Sequence, residues 1–198
     1  IGYISGKLLQ DHVVKAEILL HGSFATTGIG HGTDKALIAG LLGMRPDDIR
    51  IPDSFFLAKK DGMEFSFSTI TLKDAHPNTA VLRLTGEHGR KIEGQAAFPQ
   101  RNLLRILIAK LDGIEVNFSA EKPTLIVHNV DQPGHVAQVT SMLAEKQVNI
   151  ATLQLYRDKR GGYAVMVIET DQEVPEESVA WLEQLDGIIK VTYINVEE

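Results

Sequence analysis

From residue 123 onward the chain falls into a rhythm that few folds can accommodate. Residues 124–130 are β-branched and apolar, and Asp131-Gln-Pro-Gly134 breaks the run. Val136, Val139, Met142 and Leu143 then recur at helical spacing within 136–146. Residues 148–156 read as a strand, 158–162 as a turn rich in charge and glycine, and 163–169 as an apolar strand. A second helix is expected over 176–185, with Pro175 in its first turn. Residues 188–196 alternate as a last strand. The order βαββαβ is the ferredoxin-like arrangement. A short polar stretch, Phe118-Ser-Ala-Glu-Lys-Pro123, ends in a proline that can open a strand and separates this rhythm from what precedes it. The expected domains are residues 1–121 and 122–198, in an α+β chain.

The first part reads differently. A short strand is expected at 16–20, a glycine-dense loop at 21–32, and a helix at 33–42 with Thr33 as N-cap and Gly43 as stop. Residues 53–60 suggest a short helix. Met63, Phe65 and Phe67 alternate with polar neighbours as in a strand. Residues 79–84 and 91–95 flank a turn at 86–89 and suggest a hairpin. Residues 104–111 fit a helix or a strand. Asp112-Gly113, a favoured type I′ dipeptide, argues for two strands, 104–111 and 114–118.

Charge and composition exclude several functions. Residues 1–121 carry 14 basic and 14 acidic side chains, and residues 122–198 carry 6 and 12, so the second part holds all of the net charge of −6. No basic stripe exists, which argues against nucleic acid. No apolar run approaches the ~20 residues of a membrane helix. The absence of cysteine excludes disulfides and any iron–sulfur cluster held by thiolates of this chain, and it fits a cytoplasmic protein. The seven histidines show no HxxxH or HExxH spacing, so no metal site is expected. The first residue is Ile1 rather than Met, so a truncated N-terminus is expected.

Thr26-Thr-Gly-Ile-Gly-His-Gly-Thr-Asp-Lys35 is the most site-like stretch. Glycines let the backbone approach a ligand, and a helix start favours an anion. Thr26, Thr27 and Thr33 could donate hydrogen bonds, and His31 and Asp34 add ionisable groups. The pattern is neither a P-loop nor GxGxxG. A tight strand-to-helix turn accounts for the glycines equally well. A second candidate, His76-Pro77-Asn78, could equally be an ordinary turn before a strand.

His21-Gly-Ser-Phe-Ala25, Gly30-His-Gly-Thr-Asp-Lys-Ala36, Gly40-Leu-Leu-Gly43 with Pro46-Asp-Asp-Ile-Arg50, and His76-Pro-Asn-Thr79 together resemble the β chain of bacterial iron–sulfur L-serine dehydratases. The resemblance covers nearly the whole chain. It implies an allosteric-substrate-binding-like α/β domain at 1–121. It departs from the family in lacking the Gly-Pro-Ser-Ser-Ser-His-Thr segment, and in showing Gln95-Ala-Ala-Phe-Pro99 where many members carry Ile-Gly-Gly-Gly. The resemblance implies deamination of L-serine to pyruvate and ammonia with an α subunit. That subunit would carry a 4Fe-4S cluster acting as Lewis acid on the serine hydroxyl, and the general base. Gly30, His31, Gly32, Thr33, Asp34, His76 and Asn78 are the substrate-binding residues it implies, with the Gly30–Gly32 backbone meeting the carboxylate.

Val127-His-Asn-Val-Asp-Gln-Pro-Gly134, Gln147-Val-Asn-Ile150 and Leu185-Asp-Gly-Ile188 resemble an ACT domain, closest in pattern to the serine-sensing one of phosphoglycerate dehydrogenase. Pro133 and Gly134 shape a turn that places backbone N–H groups at the helix start, and Asn129, Asp131 and Asn149 are expected to converge as a polar cluster near that loop. The resemblance implies an effector site for an amino acid made by Asn129, Asp131, Pro133, Gly134, His135 and Asn149, held between two modules of a homodimer. Asp131 stands where an Asn is usual, and His135 where a small or apolar residue is common. Two other readings stay open: a non-catalytic serine-sensing regulator, and a dimerisation scaffold that binds nothing.

Overall fold

The structure is a computed structural model that describes residues 1–98 and 107–195. Residues 104–106 of one expected strand, Pro99 and Val196 lie outside the described residues. The chain divides into two compact units, Ile1–Asn117 and Phe118–Glu198.

The first unit is built on α1 (Gly2–Leu9), β1 (Val13–His21), α2 (Ser23–Thr27), α3 (Thr33–Leu41), a 3-10 turn at Ile51–Asp53, and α4 (Ser54–Lys60). The strands β2 (Glu64–Thr69), β3 (Thr79–Gly86), β4 (Lys91–Ala97), β5 (Leu107–Leu111) and β6 (Ile114–Phe118) follow. The sheet order is β2-β1-β3-β4-β5-β6. β1 runs parallel to β2 and antiparallel to β3, with Leu20 opposite Thr69 and His21 opposite Thr79. On β1, Val13, Ala16, Ile18 and Leu20 are buried and their neighbours are not, the period-2 signature of a strand with one face in the core. The core is filled by Leu8, Leu9, Ile18, Ile38, Leu82, Leu84, Ile108 and Leu111.

Two helices fall where none was expected. A Cβ on Gly2 would lie 2.1 Å from the Leu37 carbonyl oxygen, and one on Gly40 would lie 2.4 Å from the Tyr3 nitrogen. α1 therefore packs backbone to backbone on α3, a contact between distant segments that leaves little local pattern. α2 occupies part of the expected 21–32 loop. Thr33 is not the N-cap of α3 but its first residue. Gly32, at φ +73°, takes the cap position in a left-handed conformation, which glycine adopts without a Cβ penalty. α3 ends as expected: Gly43 is left-handed at φ +80°, its N–H bonds the Gly40 carbonyl, and the Met44 N–H bonds that of Ala39, a Schellman closure. Asp112 and Gly113 both have positive φ, as a type I′ turn requires.

The second unit comprises β7 (Thr124–Val130), α5 (His135–Glu145), β8 (Ile150–Arg157), β9 (Tyr163–Thr170), α6 (Glu176–Leu182) and β10 (Ile188–Ile194). This is the βαββαβ order, in an antiparallel sheet β10-β7-β9-β8. Pro175 caps α6 rather than entering its first turn, and the helix stops at Leu182, three residues before the expected end. Leu125, Val127, Val139, Leu143, Met166, Ile168, Leu182 and Val191 form its core. β8 is an edge strand and exposes Leu153 and Leu155.

Candidate functional site

Because β2 and β3 lie on opposite sides of β1, the connection 70–78 must cross the C-terminal end of β1. Two hydrogen bonds fix this arch. The Leu72 N–H donates to His21 Nδ1 at 3.2 Å, and the Ser23 N–H donates to the Pro77 carbonyl at 2.9 Å. Between the two anchors Gly22 adopts φ +57°, ψ −125°. A Cβ there would lie 2.6 Å from the Pro77 oxygen and 2.7 Å from its Cα. Only glycine lets the chain turn from β1 into α2 with the arch pressed against it. At the far end of the arch, the Asn78 N–H donates to His76 Nδ1 at 3.0 Å and the Thr79 hydroxyl to the His76 carbonyl at 2.6 Å. Asn78 also holds β4's end: its side-chain amide reaches the Phe98 carbonyl at 3.4 Å, and the Phe98 N–H donates to the Asn78 carbonyl at 2.9 Å. His21-Gly-Ser and His76-Pro-Asn-Thr, 55 residues apart in sequence, thus form one junction. His21 was not singled out in the sequence. Its place immediately before Gly22 is the signal that could have found it.

α2, about 7–8 Å long at 1.5 Å per residue, separates this junction from the glycine-rich loop. There Gly30 and His31 are exposed, Gly32, Thr33 and Asp34 half-buried. The His31 imidazole has no hydrogen-bond partner among the described residues. The backbone is less free than expected. The His31 N–H bonds the Thr27 and Gly28 carbonyls, that of Gly32 bonds Ile29, and that of Thr33 bonds Gly28 at 2.8 Å. The loop's amides at 31–33 are therefore bonded within its own turn, and that of Gly30 has no acceptor among the described residues. What the loop offers outward is the His31 ring and the side chains of Thr33 and Asp34.

In the second unit the expected effector residues separate into three places. Asn129 is 3% exposed, and its Nδ2 donates to the Val130 carbonyl at 2.7 Å and lies 3.2 Å from His135 Nδ1. Its Oδ1 is buried with no hydrogen-bond partner. His135, 7% exposed, spans from the Val130 carbonyl (2.9 Å from Nδ1) to that of Asp186 (3.1 Å from Nε2). Gly187 makes room for the ring. Asp131 accepts from the Gly161 N–H at 2.9 Å and from Arg157 at 3.1 Å, bonds that hold its carboxyl below the usual carboxylate range. Pro133 and Gly134 are exposed, with Gly134 capping α5 at φ +107°. Asn149 lies at the other end of the sheet, donating to Asp171 at 2.6 Å. Asn129 pairs with Ala164 and Ile150 with Thr170 on the same strand β9. The six intervening steps amount to about 20 Å, so Asn129 and Asn149 of one module do not converge.

Comparison with known proteins places these features. The model of the serine dehydratase β chain matches residues 3–61, which hold β1, Gly22 and the glycine-rich loop, and that of the ACT domain matches residues 123–187. A Bacillus subtilis (strain 168) protein named "Probable L-serine dehydratase, beta chain" is 32% identical over 195 residues, 98% of this chain and 87% of that one. The chain belongs to the L-serine dehydratase β-chain family. The L-serine dehydratase β chain of Peptoniphilus asaccharolyticus is 29% identical over 197 residues, 99% of this chain and 88% of that one. The D-3-phosphoglycerate dehydrogenase of Methanocaldococcus jannaschii is 27% identical over 200 residues, which are 99% of this chain but 36% of that protein. As a serine dehydratase β chain, the molecule has no cysteine, and its described residues hold no group of three or more histidines, aspartates and glutamates placed for a metal. Its donor set does not fit an iron–sulfur cluster. No helix among the described residues is long and apolar enough to cross a membrane.

Proposed function

We propose that this chain is the β subunit of a two-chain cytoplasmic enzyme that deaminates L-serine to pyruvate and ammonia, and that a cysteine-bearing α subunit holds the 4Fe-4S cluster. The observation that carries the reading is the junction at the end of β1. The two family segments His21-Gly-Ser and His76-Pro-Asn-Thr are bonded to each other there, one short helix away from an outward-facing His31. His76, Asn78, His31, Thr33 and Asp34 bind and orient serine against the α subunit. The test is anaerobic co-expression with the α chain and an assay of pyruvate from L-serine. Activity that needs both chains and falls about 10²-fold or more in His31→Ala, with assembly and iron content intact, supports the reading. Full activity in the variant, or in the α chain alone, refutes it.

In the ACT domain we propose an amino-acid effector site shared between two copies. Antiparallel pairing of two β8 edges would bring Asn149 of one copy to the Arg157 end of the other. Asp131, Pro133 and Gly134 stand at that end, backed by Asn129 and His135. The unpaired edge with exposed Leu153 and Leu155 supports such pairing.

A second reading, a serine-sensing regulator without catalytic part, is favoured by the match of 99% of this chain to a D-3-phosphoglycerate dehydrogenase. It predicts serine at the ACT loop and none at His31.

A further inference from the structure

We propose that His21 is a further substrate-positioning residue of the β1 junction. In this assignment it donates its Nε2–H to the substrate carboxylate in company with His76. The inference rests on the reading of the junction as the serine site.

The argument begins with the arch. His21 Nδ1 lies 3.2 Å from the Leu72 nitrogen and 3.2 Å from the Ile70 carbonyl oxygen. It can accept from the first or donate to the second. The Leu72 N–H has no other acceptor among the described residues, whereas a carbonyl tolerates an unfilled lone pair more readily than an amide tolerates an unmet proton. Nδ1 therefore accepts, and the ring proton sits on Nε2. His76 is fixed in the same way, because its Nδ1 accepts from the Asn78 N–H at 3.0 Å. Two imidazoles are thus held through Nδ1 by N–H groups around one arch, and both carry the proton on Nε2. Neither Nε2 has a partner among the described residues, and both rings are half-buried rather than immersed in solvent. Ser23, whose N–H ties α2 to Pro77, is exposed. Lys73 and Asp74 are the charged groups on the arch.

Such a set is made of donors. N–H groups with fixed tautomers bind an acceptor and cannot abstract a proton, so the part of serine that fits them is its carboxylate. His31, whose ring is not held by any such bond, is left for the other end of the substrate.

Two substitutions separate this role from mere support of the arch. His21→Asn keeps an oxygen near the Nδ1 position to receive the Leu72 N–H but places nothing at Nε2. His21→Gln restores an N–H near Nε2. In the assembled two-chain enzyme, His21→Asn is expected to raise KM for L-serine about tenfold, the value of one hydrogen bond to a charged group, with kcat within about twofold. His21→Gln is expected to stay close to wild type. Ethanolamine, which lacks the carboxylate and any carbonyl in its place, should inhibit wild type and His21→Asn equally. An unchanged KM in His21→Asn overturns the proposal. So does an equal loss in both variants accompanied by a lower melting temperature, which would mark a purely architectural histidine. If the wild-type assembly makes no pyruvate, the enzymatic reading fails by itself. The His21 assignment is then decided on the full chain labelled with [15N]histidine: movement of the His21 Nε2 resonance on adding L-serine upholds it, and its stillness ends it.

Discussion

The backbone of Ser23 is bonded to the backbone of Pro77: the Ser23 N–H reaches the Pro77 carbonyl at 2.9 Å, across 54 residues of sequence. That bond holds α2 against the arch, and it forms only because Gly22 turns the chain without a side chain.

Gly22→Ala tests the junction directly. Its Cβ would meet the Pro77 backbone at under 3 Å, from a φ of +57°. We expect a loss of about 2–4 kcal/mol, the strain of a conformation reserved for glycine plus the displaced contact. Urea denaturation reads the loss. A variant as stable as the parent would mean that the arch does not bear on Gly22 in solution.

The pair Asp11–His88 gives a pH signature. Its hydrogen bond, 2.8 Å from Asp11 Oδ1 to His88 Nδ1, raises the His88 pKa above 6.5 and lowers that of Asp11 below 3.8. For His88, whose folded value is raised, the stabilisation is fully present below about 6.5 and is lost as pH rises through the folded value. For Asp11, depressed on folding, it is present above about 3.8 and is lost as pH falls through the folded value. The pair is therefore complete between these limits. An NMR titration of the His88 ring should show a midpoint above 6.5, and Asp11→Asn should return it toward that value.

Gly187→Ala should unseat His135. The added carbon would stand 2.5 Å from the imidazole Cε1, at φ +79°. With the ring displaced, the Asp186 carbonyl loses its partner and that of Val130 keeps only Asn129 Nδ2, and we expect a cost of about 2–3 kcal/mol. Hydrogen exchange at Val130, whose N–H donates to the Gly187 carbonyl at 2.8 Å, should quicken more than at mid-strand Val127.

Leu155→Lys addresses the β8 edge. Leu155 is 46% exposed, so its replacement should change folding stability by no more than about 0.5 kcal/mol. A charge on an edge strand opposes strand pairing. For the β8 pairing proposed above, sedimentation should show the parent chain self-associating and the variant not. If the variant still associates, the copies meet elsewhere.

The second unit was legible because its signals are local. Each strand carries its own apolar run, and Asp131-Gln-Pro-Gly134 marks the turn between β7 and α5. α1 was not, since what steadies it is the approach of Gly2 and Gly40, 38 positions apart. In the candidate site, the motifs pointed to His31 and His76, and the structure bonds the His76 segment to the end of β1, with α2 standing between that junction and the His31 loop. The sequence did not reveal that the amides at 31–33 are used within their own turn, nor that His21 is anchored by an amide 51 residues away. Burial was least legible at Asn129, which is 3% exposed. The ACT resemblance implied a residue that meets an effector, and β7, passing through the sheet's interior, sets that amide against His135.

The seat of Asn129 has a thermodynamic consequence for sensing. Its Oδ1 is buried without a hydrogen-bond partner, and its Nδ2 lies against an imidazole set between two carbonyls. An effector that uses this amide binds only those molecules whose imidazole has swung aside. Its apparent dissociation constant is then the intrinsic one divided by the open fraction. For the effector site proposed above, residues that touch no effector, Gly187 among them, would in this way set the concentration of half-occupancy.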